Sequence, residues 1–551
     1  MELTGLHISF LVLLLLLFHL FSSLSFDVFS NQNDEDVNRS QYPSGFLFGT
    51  STSSYQVEGG YLEDGKGLSN WDFFSHIQGK IVNNDNGDVA DDHYHRFLED
   101  IEIMQSLGVN AYRFSISWAR ILPRGRFGEL NPSGIMFYNN VIDHLLLRGI
   151  EPFVTIFHFD SPQELEDRYG SWLSPLIQED FVHFAKTCFE NFGDRVKYWA
   201  TINEPNLLSE MGYVRGWYPP AHCSAPFGNC SAGNSDVEPL IVMHNMLLSH
   251  AKAVQLYREQ FQPKQGGSIG IIASSHMYEP LRDEETDQKA VNRILAFNLG
   301  WMFDPLVYGV YPPEMRKYLG NELPRFSLEE TKLIKGSTDF IGVNHYSTLY
   351  ATDCIHSACS SGSDHAIRGF VYTTGERDGI PIGEPHIPTI FYYFGFWQSG
   401  NPEFFVVPEG MEKLMDYIKE RYKNMPIYVT ENGYAPPREE SRQVEDLLQD
   451  VKRIEYHKGY LAALARAIRN GADVRGYFVW SLMDNLEWTD GFGTMFGLYY
   501  VDRQTLDRTP KLSARWYRNF LTNITAQNDA SSSKKKISTI TRSQNRGVQK
   551  Y

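Results

Sequence analysis

From Phe46 almost to the C-terminus, short apolar runs alternate with longer segments whose apolar residues recur at every third or fourth position. Continuous apolar runs of about four to eight residues predict buried strands, and the 3–4 spacing predicts amphipathic helices. Strands are expected near 46–50, 110–117, 152–158, 196–203, 268–274, 339–346, 427–431 and 475–481. An early crossover helix is expected to present Tyr94, Phe97, Leu98, Ile101 and Met104 on one stripe and to stop at Gly108. A late one is expected to align Leu447, Val451, Ile454, Leu461, Leu464 and Ile468. Eight strand-then-helix units predict the α/β class and a single closed (β/α)8 TIM barrel with long strand-exit loops, its active site on those loops.

At 551 residues the length alone would suggest three or four domains of roughly 150 residues. No interior repeat or Pro-, Gly- or Ser-rich linker divides the chain, so one domain is expected over 42–525. The extra length falls in 51–90, 205–237, 276–284, 347–408 and 484–509, all on the strand-exit side. Within the fourth, Phe391, Tyr392, Tyr393, Phe394, Phe396 and Trp397 crowd one stretch. These rings offer faces for an aromatic leaving group or packing against the barrel rim.

The ends differ from this body. Ile8 to Phe21 is an apolar run shorter than the about 20 residues a spanning helix needs, and Ser22, Ser23 and Ser25 follow it. Residues 1–25 therefore read as a secretory signal, 26–41 as an N-terminal extension and 526–551 as a disordered basic tail. Sequons at Asn38, Asn229 and Asn523 fit passage through the secretory pathway, to the cell wall or a vacuole, without stable membrane insertion. The five cysteines form two close pairs, Cys223 with Cys230 and Cys354 with Cys359, leaving Cys188 alone. Oxidising conditions would bridge the first pair, and the second is a further candidate. No paired Cys/His spacing supports a metal site, and no cofactor is expected.

A formal charge of −17 argues against nucleic acid or an anionic membrane as partner, because like charges repel. Aromatic content of 14% leaves rings to line a pocket for sugar faces. The chemistry centres on two strand ends. YVTENG, 428–433, presents Glu431, and ATINEP, 200–205, presents Glu204, each beside an Asn. Two acids displayed alike point to paired acid/base or nucleophilic work.

The ordered motifs FLFGTSTSSYQVEG (46–59), YRFSISWARILP (112–123), TINEP (201–205), GVNHYS (342–347), YVTENG, VWSLMDNLEW (479–488) and FGLYYVD (496–502) carry a resemblance. Over roughly 42–522 the chain resembles plant β-glucosidases of glycoside hydrolase family 1, and within them the branch acting on monolignol glucosides such as coniferin or syringin. The resemblance implies a small-molecule β-glucoside as partner, Glu431 as covalent nucleophile and Glu204 as acid/base proton donor. It implies Arg113 and Tyr346 as support for the nucleophile, and Gln56, His158, Asn203, Tyr346, Glu487 and Trp488 as glucose contacts, with Trp480 beneath the ring and Phe496 at its edge. Thioglucosidase relatives carry Gln in place of the acid/base Glu, so Glu204 favours an O-glucosidase. The loop 380–408 departs from the family pattern, with Glu403 where a Trp is usual. Hydrolysis, transglucosylation and silent glycan binding remain three readings, the last of which would require loss of a carboxylate. Oligomeric state is not legible.

Overall fold

The computed structural model describes residues 37–359, 365–386, 404–437 and 443–522. Eight parallel strands form a closed barrel: β1 (Leu47–Ser51), β2 (Ala111–Ser115), β3 (Glu151–Phe157), β4 (Tyr198–Asn203), β5 (Ser268–Ser274), β6 (Ile341–Asn344), β7 (Ile427–Asn432) and β8 (Val474–Trp480). Each pairs with its neighbours in sequence, and β1 closes on β8 in the register Leu47↔Gly476 to Ser51↔Trp480. All eight anticipated strands are present within a few residues of their expected bounds. The longer helices between and after them are α1 (His93–Leu107), α2 (Pro132–Leu147), α3 (Ile177–Phe192), α4 (Glu238–Leu256), α5 (Glu285–Leu295), α6 (Glu409–Arg421), α7 (Val451–Arg469) and α8 (Leu512–Thr522).

The barrel interior is filled by side chains. Phe153 lies 5.2–5.6 Å between ring centroids from Phe340, Phe478, Tyr428 and Tyr198, with Ala111, Ala200 and Ile272 completing the layer. A ring buried this way stabilises the fold by about 1.5–3 kcal/mol. Close packing explains Gly49 on β1, where a Cβ would stand 2.4 Å from the Phe478 ring. With this layer closed, strand exits alone are left to build a site.

Two helix faces depart from the expected stripes. Gly108 does end α1, at φ 84°, its N–H meeting the Met104 and Gln105 carbonyls, but Leu98 is 43% exposed and Asp100 is fully buried. The cause is an ion pair: Asp100 binds Arg508 at 2.8 Å and His93 at 2.8 Å, and burial with two partners outweighs the apolar preference of Leu98. On α7 Val451 is 48% exposed and Leu447 belongs to a separate short helix, Val444–Leu448, whereas Arg453, Tyr456, His457 and Tyr460 are enclosed. Every one of those four has a hydrogen-bond partner.

Both cysteine pairs are bridged, Cys223–Cys230 and Cys354–Cys359, and Cys188 is a buried free thiol on α3. A small sheet of Met277–Pro280, Thr348–Asp353 and Val371–Thr374 stands beside the exits of β5 and β6. Asn38 and Asn229 are exposed. The expected signal, the basic tail, Asn523 and the aromatic run 391–397 lie outside the described residues. Among the described residues no helix is long and apolar enough to cross a membrane.

Candidate active site

Glu204 and Glu431 reach one cavity at the strand exits by different backbone devices. On β7 the register with β6 slips between Val429 and Glu431, so Glu431 faces Asn344, and such a bulge re-aims the side chain that follows it. Glu204 follows β4 at φ 41° and caps the short helix Pro205–Tyr213, its N–H donating to the Ile272 carbonyl at 2.8 Å. A non-glycine residue held there costs on the order of 1–3 kcal/mol, a strain that clusters at functional sites.

The two carboxyls meet opposite surroundings. Glu431 Oε1 accepts from Arg113 Nη1 at 2.5 Å and Oε2 accepts from the Tyr346 hydroxyl at 2.6 Å, so each oxygen has a directed donor. Glu204 accepts from the Asn203 amide at 3.0 Å, and among the described residues no ion pair engages it. Burial, and then the charge of Glu431, push its carboxyl up to about 8. Glu204 is thereby kept as a proton carrier near neutral pH. Arg113 also donates to Asn203 Oδ1 at 2.7 Å and to Thr155 Oγ1 at 3.1 Å, and Asn203 Oδ1 further accepts from Asn344 at 3.1 Å.

Of the expected sugar contacts, His158, Tyr346, Trp480, Glu487, Trp488 and Phe496 line the cavity with the two acids. Gln56, Asn203 and Arg113 are fully buried and reach that wall through hydrogen bonds. Gln56 donates to the Leu486 carbonyl at 2.9 Å, to Asn485 at 3.1 Å and to Glu487 at 3.5 Å, orienting the loop after β8. Burial, Asp490 and Glu431 hold the Glu487 carboxyl well above the usual carboxylate range. Burial and the Arg113 charge hold the His158 imidazole well below its ordinary value, so the ring is neutral. Its Nε2 lies 3.1 Å from the Asn203 amide, which donates to it. Trp480, His158 and Trp488 form a file of near-parallel rings 5.8–6.1 Å apart.

Sequence reasoning missed part of the wall. Trp217, Phe297, Trp301 and Phe404 line the same cavity from the exits of β4, β5 and β6. Trp217 and Phe404 stand in loops, which carry no periodic signal, and Phe297 and Trp301 lie on the helical stretch 296–308 that continues α5, so only their convergence marks the four. Asn344, also missed, ends a strand in GVNHYS just as Asn203 ends one in TINEP, and that parallel could have found it. Trp217 follows Gly216, where a Cβ would stand 2.1 Å from Cys230 Sγ, so the first disulfide packs directly behind this wall.

Comparison with known proteins accords with this geometry. Residues 38–526 match Glycosyl hydrolase family 1, and the chain belongs to that family. It is 55% identical over 487 residues, 88% of this chain and 92% of the relative, to a probable inactive beta-glucosidase 14 of Oryza sativa subsp. japonica. It is 52% identical over 493 residues, 88% of this chain and 93% of the relative, to the coniferin beta-glucosidase of Pinus contorta. Among solved structures it is similar to a mutant of the rice Os3BGlu6 beta-glucosidase in a covalent complex with Glc from GA4GE. That likeness has 43% identity and a TM-score of 0.83 and covers 88% of this chain and 99% of the other.

Proposed function

We propose that this member of Glycosyl hydrolase family 1 hydrolyses terminal β-D-glucosides with retention and prefers aromatic aglycones, monolignol glucosides among them. The observation that carries the reading is the unequal treatment of two carboxyls in one cavity: Glu431 with a donor on each oxygen, Glu204 pushed up to about 8. In the first displacement a Glu431 oxygen bonds to the anomeric carbon as the bond to the aglycone oxygen breaks, and the Glu204 proton passes to that oxygen. In the second, Glu204, now a carboxylate, takes a proton from water, whose oxygen replaces Glu431 at the anomeric carbon. His158, Glu487 and the Gln56-held loop supply polar partners for sugar hydroxyls, and Trp480 an apolar face.

The aromatic preference is supported by Trp217, Phe297, Trp301 and Phe404 in the same cavity and by the similarity to a coniferin beta-glucosidase. The similarity to a protein described as probably inactive favours a second reading, silent glycan binding, against which both carboxyls here retain their partners. Transglucosylation would use the same glucosyl-enzyme with an alcohol in place of water. A secretory route is supported by the apolar leader, two disulfides and exposed sequons at Asn38 and Asn229.

Incubation with an aryl β-glucoside, with and without an acceptor alcohol, separates these readings. Release of β-glucose supports hydrolysis with retention, an alkyl glucoside as main product supports transfer, and no aglycone release with measurable glucoside binding supports the silent reading. Coniferin turned over no better than an alkyl glucoside would overturn the aromatic preference.

A further inference from the structure

Behind the nucleophile, α7 carries a pair of tyrosines that the mechanism above does not use. Tyr456 and Tyr460 are one helical turn apart, buried, and stacked with ring centroids 4.1 Å apart. Both hydroxyls donate to one acceptor, the carbonyl of Tyr346, at 3.0 and 3.1 Å. A phenol has one hydrogen to give and a carbonyl has two lone pairs, so the three groups match. The Tyr346 side chain is the one that donates to Glu431 Oε2 at 2.6 Å.

Each hydroxyl also accepts a second bond, and these bonds lead in different directions. The Tyr456 oxygen accepts from Asn432 Nδ2 at 2.8 Å, and Asn432 directly follows Glu431. Asn432 is tied further, donating to the His345 carbonyl at 2.7 Å and accepting from the Tyr477 hydroxyl at 2.6 Å. The Tyr460 oxygen accepts from the backbone N–H of Val407 at 3.1 Å, three residues after the cavity-lining Phe404. The Phe404 ring meets the Tyr346 ring edge-on at 5.9 Å.

We propose that Tyr456 and Tyr460 are positioning residues: together they hold the Tyr346 peptide where its hydroxyl reaches Glu431, Tyr456 fixing the nucleophile strand and Tyr460 the aglycone-side segment 404–407. This rests on Glu431 being the nucleophile. Neither tyrosine lines the cavity. Their effect passes through Tyr346, and an orienting group displaced by a fraction of an ångström loses much of its value. Because buried polar networks act as units, truncating one hydroxyl leaves the partner groups unpaired as well.

The test is a double-mutant cycle on the first chemical step. The rate of covalent labelling by a 2-deoxy-2-fluoro-β-glucoside with a dinitrophenolate leaving group is measured in Tyr456→Phe, Tyr460→Phe, Tyr346→Phe and the two pairs with Tyr346→Phe. Tyr456→Phe is expected to slow labelling about tenfold in the native background and less than about twofold once Tyr346→Phe is present. Tyr460→Phe is expected to show the same non-additivity and, in steady state, to raise KM for an aryl glucoside more than for an alkyl one. Equal slowing in both backgrounds would mark general loosening, and no slowing would mark idle hydroxyls; either overturns the proposal. Should Tyr456→Phe not fold, the Tyr460→Phe cycle decides alone. Absence of labelling in the native protein would sink the nucleophile assignment instead.

Discussion

Arg113 and Glu431 form an ion pair across the barrel mouth, Nη1 to Oε1 at 2.5 Å, with the arginine side chain fully enclosed and the carboxylate side chain 5% exposed. The same guanidinium bonds Asn203 beside Glu204. One planar cation thus fixes the strand ends that carry both acids, and a lysine, a single compact donor on a flexible stem, cannot copy that fork. Arg113→Lys is expected to remain folded with kcat/KM lowered by at least about tenfold. Arg113→Met, which strands a buried carboxylate, is expected to lose about 3–5 kcal/mol in urea unfolding. Native stability in the Met variant would mean that the pair is structurally idle.

Glu431→Gln should bind substrate without turnover, and a slow fluorinated glucoside should label Glu431 alone. Glu204→Gln should still form the intermediate from substrates with good leaving groups, which need little protonation, and then hydrolyse it slowly. Stopped-flow release of dinitrophenol and of a poor phenol separates the steps. Equal losses for both leaving groups would contradict the acid role.

Activity should fall as pH rises through about 8. Burial and the Glu431 charge raise Glu204 to that value, the proton is required in the first displacement, and it is present below the raised pKa and lost above it. Glu487 is also pushed up, so the limb is assigned by substitution. In Glu204→Gln, kcat/KM for an activated substrate should lose the alkaline limb. A limb that survives unchanged belongs to another group.

Asp160 gives a stability prediction with a definite sign. It is buried, accepts from Ser54 Oγ at 2.7 Å, and is raised by burial from an ordinary 3.8 to about 8. Between roughly pH 4 and 8 the unfolded chain has released this proton and the folded one has not, so stability declines across that window as pH rises. Asp160→Asn should flatten the decline, seen in denaturant midpoints at pH 5 and pH 8. An unchanged slope would show that other groups set it.

The Cys223–Cys230 bridge closes a short loop and is worth about 2 kcal/mol by chain entropy. Replacing both cysteines by serine should cost about that much in unfolding free energy and lower kcat/KM for aryl glucosides, since the sulfurs back Gly216, which directly precedes Trp217. If stability falls but the aryl preference does not, the bridge does not shape that wall.

Strand positions, barrel class, both acids and the bridged cysteines were legible along the chain because each leaves a local mark: a continuous apolar run, an acid ending it, two cysteines a short loop apart. The faces of α1 and α7 were not. Apolar spacing reports which residues would avoid water if nothing else competed, and it placed Leu98 and Val451 inside, whereas the fold enclosed Asp100 and Tyr456. A polar group is buried when a partner waits for it, and the partner of Tyr456 lies 110 residues away, at Tyr346. The same reason turned Gln56 toward Glu487, 431 residues distant, and the same closure brought Trp217 and Phe404 from loops and Phe297 and Trp301 from a helical stretch into one cavity. Local chemistry chose the elements and the reacting atoms; closure of the barrel chose which remote groups would meet, because only there do their hydrogen bonds replace the water they lose.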